Sequence, residues 1–251
     1  EYPSKNPNRF LRRIENRAFI AEKTLSISHN YTDIIFVHLS MLFGLNNRKP
    51  DGIVFWVFPM FLTPSYINSN EKLPSDYFNM EIQALGIADR IISPSLYERN
   101  QICSNYSIPI EKVKVIPRGT NKNISNHKLR GLPCDGKLVF GSIASIKQQK
   151  NTIGLINLFA DLKEKFPNSI LKIIGPIQDN LYFKKVLQEI EKLKLITSIE
   201  FTGYIAYYDL ERVLSNVHVH ITTSHCETFG RSIFETLALG IPNLCINDNI
   251  A

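Results

Sequence analysis

Two glutamates, Glu227 and Glu235, stand eight positions apart where an alternating apolar run ends and a helical pattern begins. A carboxylate in a strand-to-helix loop and another one or two turns inside the helix both reach the side on which a phosphorylated ligand meets a helix N-terminus. Between them Phe229, Gly230 and Arg231 supply the backbone amides that open the helix, and the helix dipole there favours an anion. Gly230 allows close approach to the backbone because it carries no Cβ. The plain alternative is that Glu227 is an exposed helix-start carboxylate and Glu235 an ordinary helix-surface one, since acidic residues favour first turns anyway.

A second group that could do chemistry is His218, His220 and His225. His-x-His on a strand points two imidazoles to one face, and Glu227 could add a carboxylate to a zinc site. A zinc hydrolase also needs a distant acid or histidine constellation, which the sequence does not offer, so no metal ligand is assigned. Cys103, Cys134, Cys226 and Cys245 include no C-x-x-C pair, which argues against a disulfide framework and a cysteine zinc site and for a reducing cytoplasm. The net charge of +6 draws on Arg9, Arg12, Arg13 and Arg17 and on Lys184, Lys185, Lys192 and Lys194. Glu189 and Glu191 interleave with those lysines, as on a solvated helix face, and no recognition-helix or zinc-finger pattern points to nucleic acid. The longest apolar run, 53–62, is broken by Pro59 and is too short to cross a bilayer. Residues 9–25 read as an amphipathic helix with an arginine face, either packed and solvated or in peripheral contact with anionic lipid at the inner face of a membrane.

The elements that would position these groups alternate along the chain. Apolar strand runs are expected at 33–39, 53–58, 90–93 and 114–116, with helices at 77–85 and 97–105 and a loop through Pro64 and Pro74. The polar segment 121–136 lacks apolar periodicity and marks a boundary, giving domains 1–122 and 123–251. Beyond it strands at 138–143, 169–174, 199–202, 217–222 and 243–246 alternate with helices at 152–166, 181–195, 209–214 and 230–239. Strands alternating with helices predict parallel sheets, hence a doubly wound α/β fold.

The motifs fall in a familiar order. Ala88-Asp89-Arg90-Ile91-Ile92-Ser93, Val115-Ile116-Pro117-Arg118-Gly119-Thr120-Asn121, the loop from Ala144 to Asn151, Phe201-Thr202-Gly203 and the Glu227 to Glu235 segment resemble, in sequence order, those of retaining family-four glycosyltransferases, which use sugar nucleotides. The resemblance runs with gaps over most of the chain and implies two Rossmann-like domains facing a cleft. Here the N-terminal domain and the C-terminal end read as incomplete, as in a fragment. By the same resemblance, Glu227 holds donor-sugar hydroxyls beneath the anomeric carbon and Glu235 accepts hydrogen bonds from the ribose. A diphosphate whose charge develops as the glycosidic bond breaks calls for fixed cations and donors, a task that suits Lys150 and the amides at Phe229, Gly230 and Arg231. The base is expected against the strand ends at Gly175, Tyr204 and Ile205.

Two departures stand out. Ser145 occupies the place of an arginine on the phosphate loop, leaving Lys147 or Arg231 as the substitute cation. Phe58 stands where the family often has a histidine near the donor sugar, and His38, at the end of the preceding strand, is either a replacement or a polar strand end. The resemblance implies a metal-independent hexosyltransferase acting on a saccharide or lipid-linked acceptor in surface polysaccharide synthesis, with no cofactor and a UDP- or GDP-type sugar as donor. The alternative is a catalytically silent relative that binds a nucleotide sugar or a partner.

Overall fold

The computed structural model describes residues 34–45, 49, 51–59, 62–68, 72–119, 133 and 137–246, with Lys5, Glu15 and Phe19. The expected amphipathic helix at 9–25 and the boundary segment 121–136 otherwise lie outside the described residues. The chain divides after Pro117 into two units.

In the first unit, branched and aromatic runs form β1 (Ile34–His38), β2 (Val54–Phe58), β3 (Arg90–Ser93) and β4 (Val113–Val115), parallel and side by side in chain order. Alternation along β2 sends Phe55 and Val57 into the core and leaves Val54 and Phe58 exposed. Helices α1 (Thr63–Asn68), α2 (Tyr77–Ile87) and α3 (Leu96–Tyr106) link the strands. The expected loop through Pro64 is corrected by α1. Pro64 sits in its first turn, where a helix needs no backbone donor and a fixed φ is an advantage. Asp89 ties β2 to β3 by accepting the Phe55 amide at 2.8 Å, and Ser95 caps α3 by accepting from the Glu98 amide. His38 caps the following 3-10 turn, its Nδ1 accepting from the Ser40 amide. Phe58 is part-exposed at the end of β2.

The second unit holds β5 (Val139–Ile143), β6 (Ile170–Ile174), β7 (Ile199–Gly203), β8 (Val219–Thr222) and β9 (Asn243–Cys245) in one parallel sheet ordered β7-β6-β5-β8-β9. Four helices alternate with them: α4 (Thr152–Lys165), α5 (Asn180–Lys192), α6 (Leu210–Leu214) and α7 (Arg231–Leu237). Neighbouring residues of one strand serve opposite faces. Ile173 joins Phe140, Phe159 and Val186 under α4 and α5, while Ile174 joins Leu214, Leu239 and Ile241 on the other side. Both faces are therefore covered, as a parallel sheet requires. Asn151 caps α4 by accepting from the Gly154 amide, and Asp179 caps α5 by accepting from the Tyr182 amide. The helix expected to reach residue 195 stops at Lys192, and the backbone turns left-handed at Lys194. The first unit is four parallel strands and the second a doubly wound sheet, which together give the two Rossmann-like parallel-sheet domains expected from the sequence.

One charge in the first core is unusual. Glu81 on α2 is fully buried; its carboxylate accepts from the Thr63 amide at 3.1 Å and from the Tyr106 hydroxyl. Burial pushes its pKa up to about 7 against these bonds, so the folded unit holds a proton that the unfolded chain releases near 4.5. Stability from this group is complete below about pH 4.5 and is lost as pH rises through about 7, a change of roughly 3 kcal/mol. Glu81→Gln keeps an acceptor for Thr63 and removes the titration. We expect it to raise the unfolding midpoint at pH 8, to change it little at pH 5 and to flatten the slope between. Fluorescence of Trp56, the single tryptophan, reads this unit.

Candidate functional site

The order β7-β6-β5-β8-β9 reverses direction at β5, so the loops leaving β5 and β8 diverge to opposite faces and open a crevice at the C-terminal edge. A cavity of about 390 Å³ lies there. Its walls come from the end of β5 (Ile143, Ala144, Ser145), the end of β6 (Ile174, Gly175, Pro176), the segment after β7 and the first turns of α7.

Eight of the ten residues assigned from the sequence to donor binding line this one cavity: Ser145, Lys150, Gly175, Tyr204, Ile205, Glu227, Arg231 and Glu235. Phe229 and Gly230 do not. Phe229 is buried and stacks on Phe234 with ring centres 4.6 Å apart, which anchors the loop to α7. Gly230 caps α7 with φ 72°, a left-handed conformation that glycine adopts at little cost, and brings no capping side chain. Tyr207, Leu210 and Ser232 complete the lining and were not singled out in the sequence. The Tyr207 ring lies 5.7 Å from the Arg231 guanidinium, and its place in an aromatic run after β7 was the only signal for it.

The cavity is built from two cation–carboxylate pairs. Lys150 Nζ donates to Glu227 Oε1, with both side chains largely buried. Arg231 Nε donates to Glu235 Oε1 at 2.8 Å across one helical turn; Glu235 is 8% exposed and Arg231 58%. Hydrogen bonds to backbone carbonyls of the distant loop place the first pair. The His225 amide donates to the Gln149 carbonyl at 3.0 Å, and the Thr223 hydroxyl donates to the Asn151 carbonyl at 3.0 Å. Ser145 brings to the wall a hydroxyl and no charge. Two carboxylates beside two cations suit a ligand that carries both anionic oxygens, which the cations Lys150 and Arg231 can take, and hydroxyls, which the acceptors Glu227 and Glu235 can take.

The three histidines do separate jobs. His218 Nδ1 accepts from the Val139 amide at 3.1 Å, His220 is fully buried, and His225 is held through its backbone. Among the described residues no three His, Cys, Asp or Glu side chains are placed to hold a metal ion.

The sequence profile of the family described as "Glycosyl transferases group 1" matches residues 126–251. The chain is 28% identical over 165 residues to the alpha-monoglucosyldiacylglycerol synthase of Streptococcus pneumoniae, a match covering 61% of this chain and 36% of that protein. Among solved structures it is similar to Anabaena HepE in complex with UDP, with a TM-score of 0.71 and 20% identity over 92% of this chain and 64% of that one. It is also similar to the sucrose-phosphate synthase of Thermosynechococcus elongatus, with a TM-score of 0.75 and 17% identity over 98% of this chain and 63% of that one. The chain thus spans about a third of the length of the pneumococcal relative and under two thirds of each of the two structures.

The crevice floor depends on Gly175. Its φ is +150°, and a Cβ there would lie 2.2 Å from the Ala144 carbonyl oxygen. Gly175→Ala should therefore destabilise the second unit by about 2 kcal/mol or more in urea unfolding, because backbone must move to admit the methyl group. Gly86 on α2 is exposed, a methyl group there would meet nothing within 4 Å, and it serves as the control: Gly86→Ala should be neutral or stabilise by about 0.5–1 kcal/mol.

Proposed function

The chain belongs to the glycosyl transferases group 1 family, and we propose that the intact protein transfers a hexose from a nucleotide diphosphate sugar to a saccharide or lipid-linked acceptor, with retention, in the synthesis of a surface polysaccharide. The observation that carries this reading is the convergence of Lys150, Glu227, Arg231 and Glu235 on one cavity at the switch point of a doubly wound sheet.

In the proposed reaction the bond between the anomeric carbon and the diphosphate breaks. The acceptor hydroxyl forms the new bond from the same face, and its proton passes to an oxygen of the departing diphosphate. Negative charge grows on that diphosphate, so Lys150 is more useful in the transition state than in the ground state. Glu227 orients the sugar through its hydroxyls, and Glu235, fixed inside α7, receives the ribose. Tyr204 and Ile205 flank the base. Arg231 is the second cation and offsets the neutral Ser145. The reading asks for neither a metal ion nor a cofactor. The name of the pneumococcal relative supports a lipid acceptor. No helix among the described residues is long and apolar enough to cross a membrane. The four scattered cysteines suit a reducing cytoplasm, and the reading places the protein there or at the inner face of the membrane. A silent relative would bind donor without turnover, a reading that the two departures Ser145 and Phe58 favour and the retained Lys150, Glu227 and Glu235 oppose.

A thermal-shift panel of UDP-, GDP- and ADP-sugars, with and without chelator, tests donor binding. We expect one base to raise the midpoint and chelator to leave that rise intact; no shift from any of them contradicts the reading. Lys150→Ala should weaken UDP or GDP more than the matching nucleoside. Glu227→Gln, which keeps the side chain's shape beside Lys150, should lower turnover by the full-length protein about 10²-fold with little loss of nucleotide affinity. Unchanged turnover would remove Glu227 from the site.

A further inference from the structure

His220 has no part in the chemistry above, yet it is fully buried in the middle of β8 with both ring nitrogens engaged. The side-chain amide of Asn243 on β9 fixes the tautomer. Its Nδ2 donates to the Ile241 carbonyl at 3.0 Å, so its Oδ1 is the acceptor 2.6 Å from His220 Nδ1, which must carry the proton. His220 Nε2 is then free to accept, and it takes the amide of Ile143 at 3.3 Å. Ile143 is the last residue of β5 and lines the cavity. The same Asn243 Oδ1 lies 3.0 Å from the hydroxyl of Thr236, which shares its one proton with the Ser232 and Ile233 carbonyls of its own helix at 2.8 and 3.0 Å; Thr236 is buried on α7 one residue beyond Glu235.

We propose that His220 is a positioning residue of the donor cavity, holding the end of β5 and helix α7 at a fixed separation through Ile143 on one side and Asn243 and Thr236 on the other. Both anchored elements contribute to the cavity wall: β5 leads into Ala144 and Ser145, and α7 carries Arg231, Ser232 and Glu235. A diphosphate nucleoside that spans the phosphate loop and Glu235 must match that separation, so the inference rests on the donor reading of the cavity. Burial holds the pKa of the ring down to about 4, against the raising influence of Asn243 and Glu227, so the imidazole stays neutral and both bonds persist at neutral pH. An apolar side chain of similar size would fill the space and tie neither element.

The test uses the 251-residue chain, UDP and GDP as probes in titration calorimetry, and amide hydrogen exchange of 143–150, 231–237 and, for reference, 170–174. His220→Phe should weaken the nucleotide that binds by about tenfold or more and speed exchange in the first two segments while leaving the third protected. His220→Gln, which can accept from Ile143 and donate to Asn243, should recover most of both. Adding Thr236→Val to His220→Phe should cost little further affinity, because the two changes cut one connection. Unchanged affinity in His220→Phe, or exchange that rises equally in all three segments, overturns the proposal and leaves His220 a packing residue. If the wild-type chain binds neither nucleotide, the donor reading is what fails. Selective exchange at 143–150 and 231–237 then supports the positioning role, and its absence overturns that too.

Discussion

The reversal of strand order at β5 is the constraint on which the second unit depends. A parallel sheet brings every strand's C-terminal end to one edge, and a reversal there lets two neighbouring loops part to opposite faces. Residues from positions 143 to 235 thereby meet in one cavity although they belong to different elements. The close approach of the β5 and β6 loops completes the arrangement. The Ala144 amide donates to the Ile174 carbonyl and the Ile146 amide to the Pro176 carbonyl, and only a glycine at 175 fits beneath Ala144.

Charge follows from this geometry. Lys150 and Glu227 are brought together by hydrogen bonds between their loops, while Arg231 and Glu235 are neighbours by helical periodicity. Three of these four ions are largely buried and tolerable because each has a partner, and removing one partner leaves the other uncompensated. A ligand that brings phosphate to the cations and hydroxyls to the carboxylates keeps all four satisfied, which makes the paired site ready for such a ligand without a large rearrangement of charge.

Much of this was legible in the chain. Runs such as Val54-Phe55-Trp56-Val57-Phe58 have few alternatives to a strand, and the spacing of Glu227 and Glu235 located the cavity before its walls were known. Local chemistry misled at Pro64, which reads as a breaker but serves in a first turn. Phe229 and Gly230 read from the sequence as backbone amides that open the helix; in the structure the Phe229 ring supports the loop from within and Gly230 shapes the helix start. What the sequence hid are polar contacts between distant positions. Thr223 reaches Asn151, His220 reaches Ile143, and the burial of Glu81 depends on Tyr106 on another helix. Nothing in the local pattern of an acid on α2 or a histidine on β8 announces a partner that only the tertiary fold supplies.

The most direct test of the central claim is a crystal structure of the chain with a nucleoside diphosphate, UDP or GDP, bound. The account predicts a diphosphate against Lys150 Nζ with the Lys150–Glu227 pair opened, and ribose hydroxyls within hydrogen-bond distance of Glu235. A nucleotide seated outside this cavity, or inside it with that pair intact and Glu235 untouched, would contradict the account.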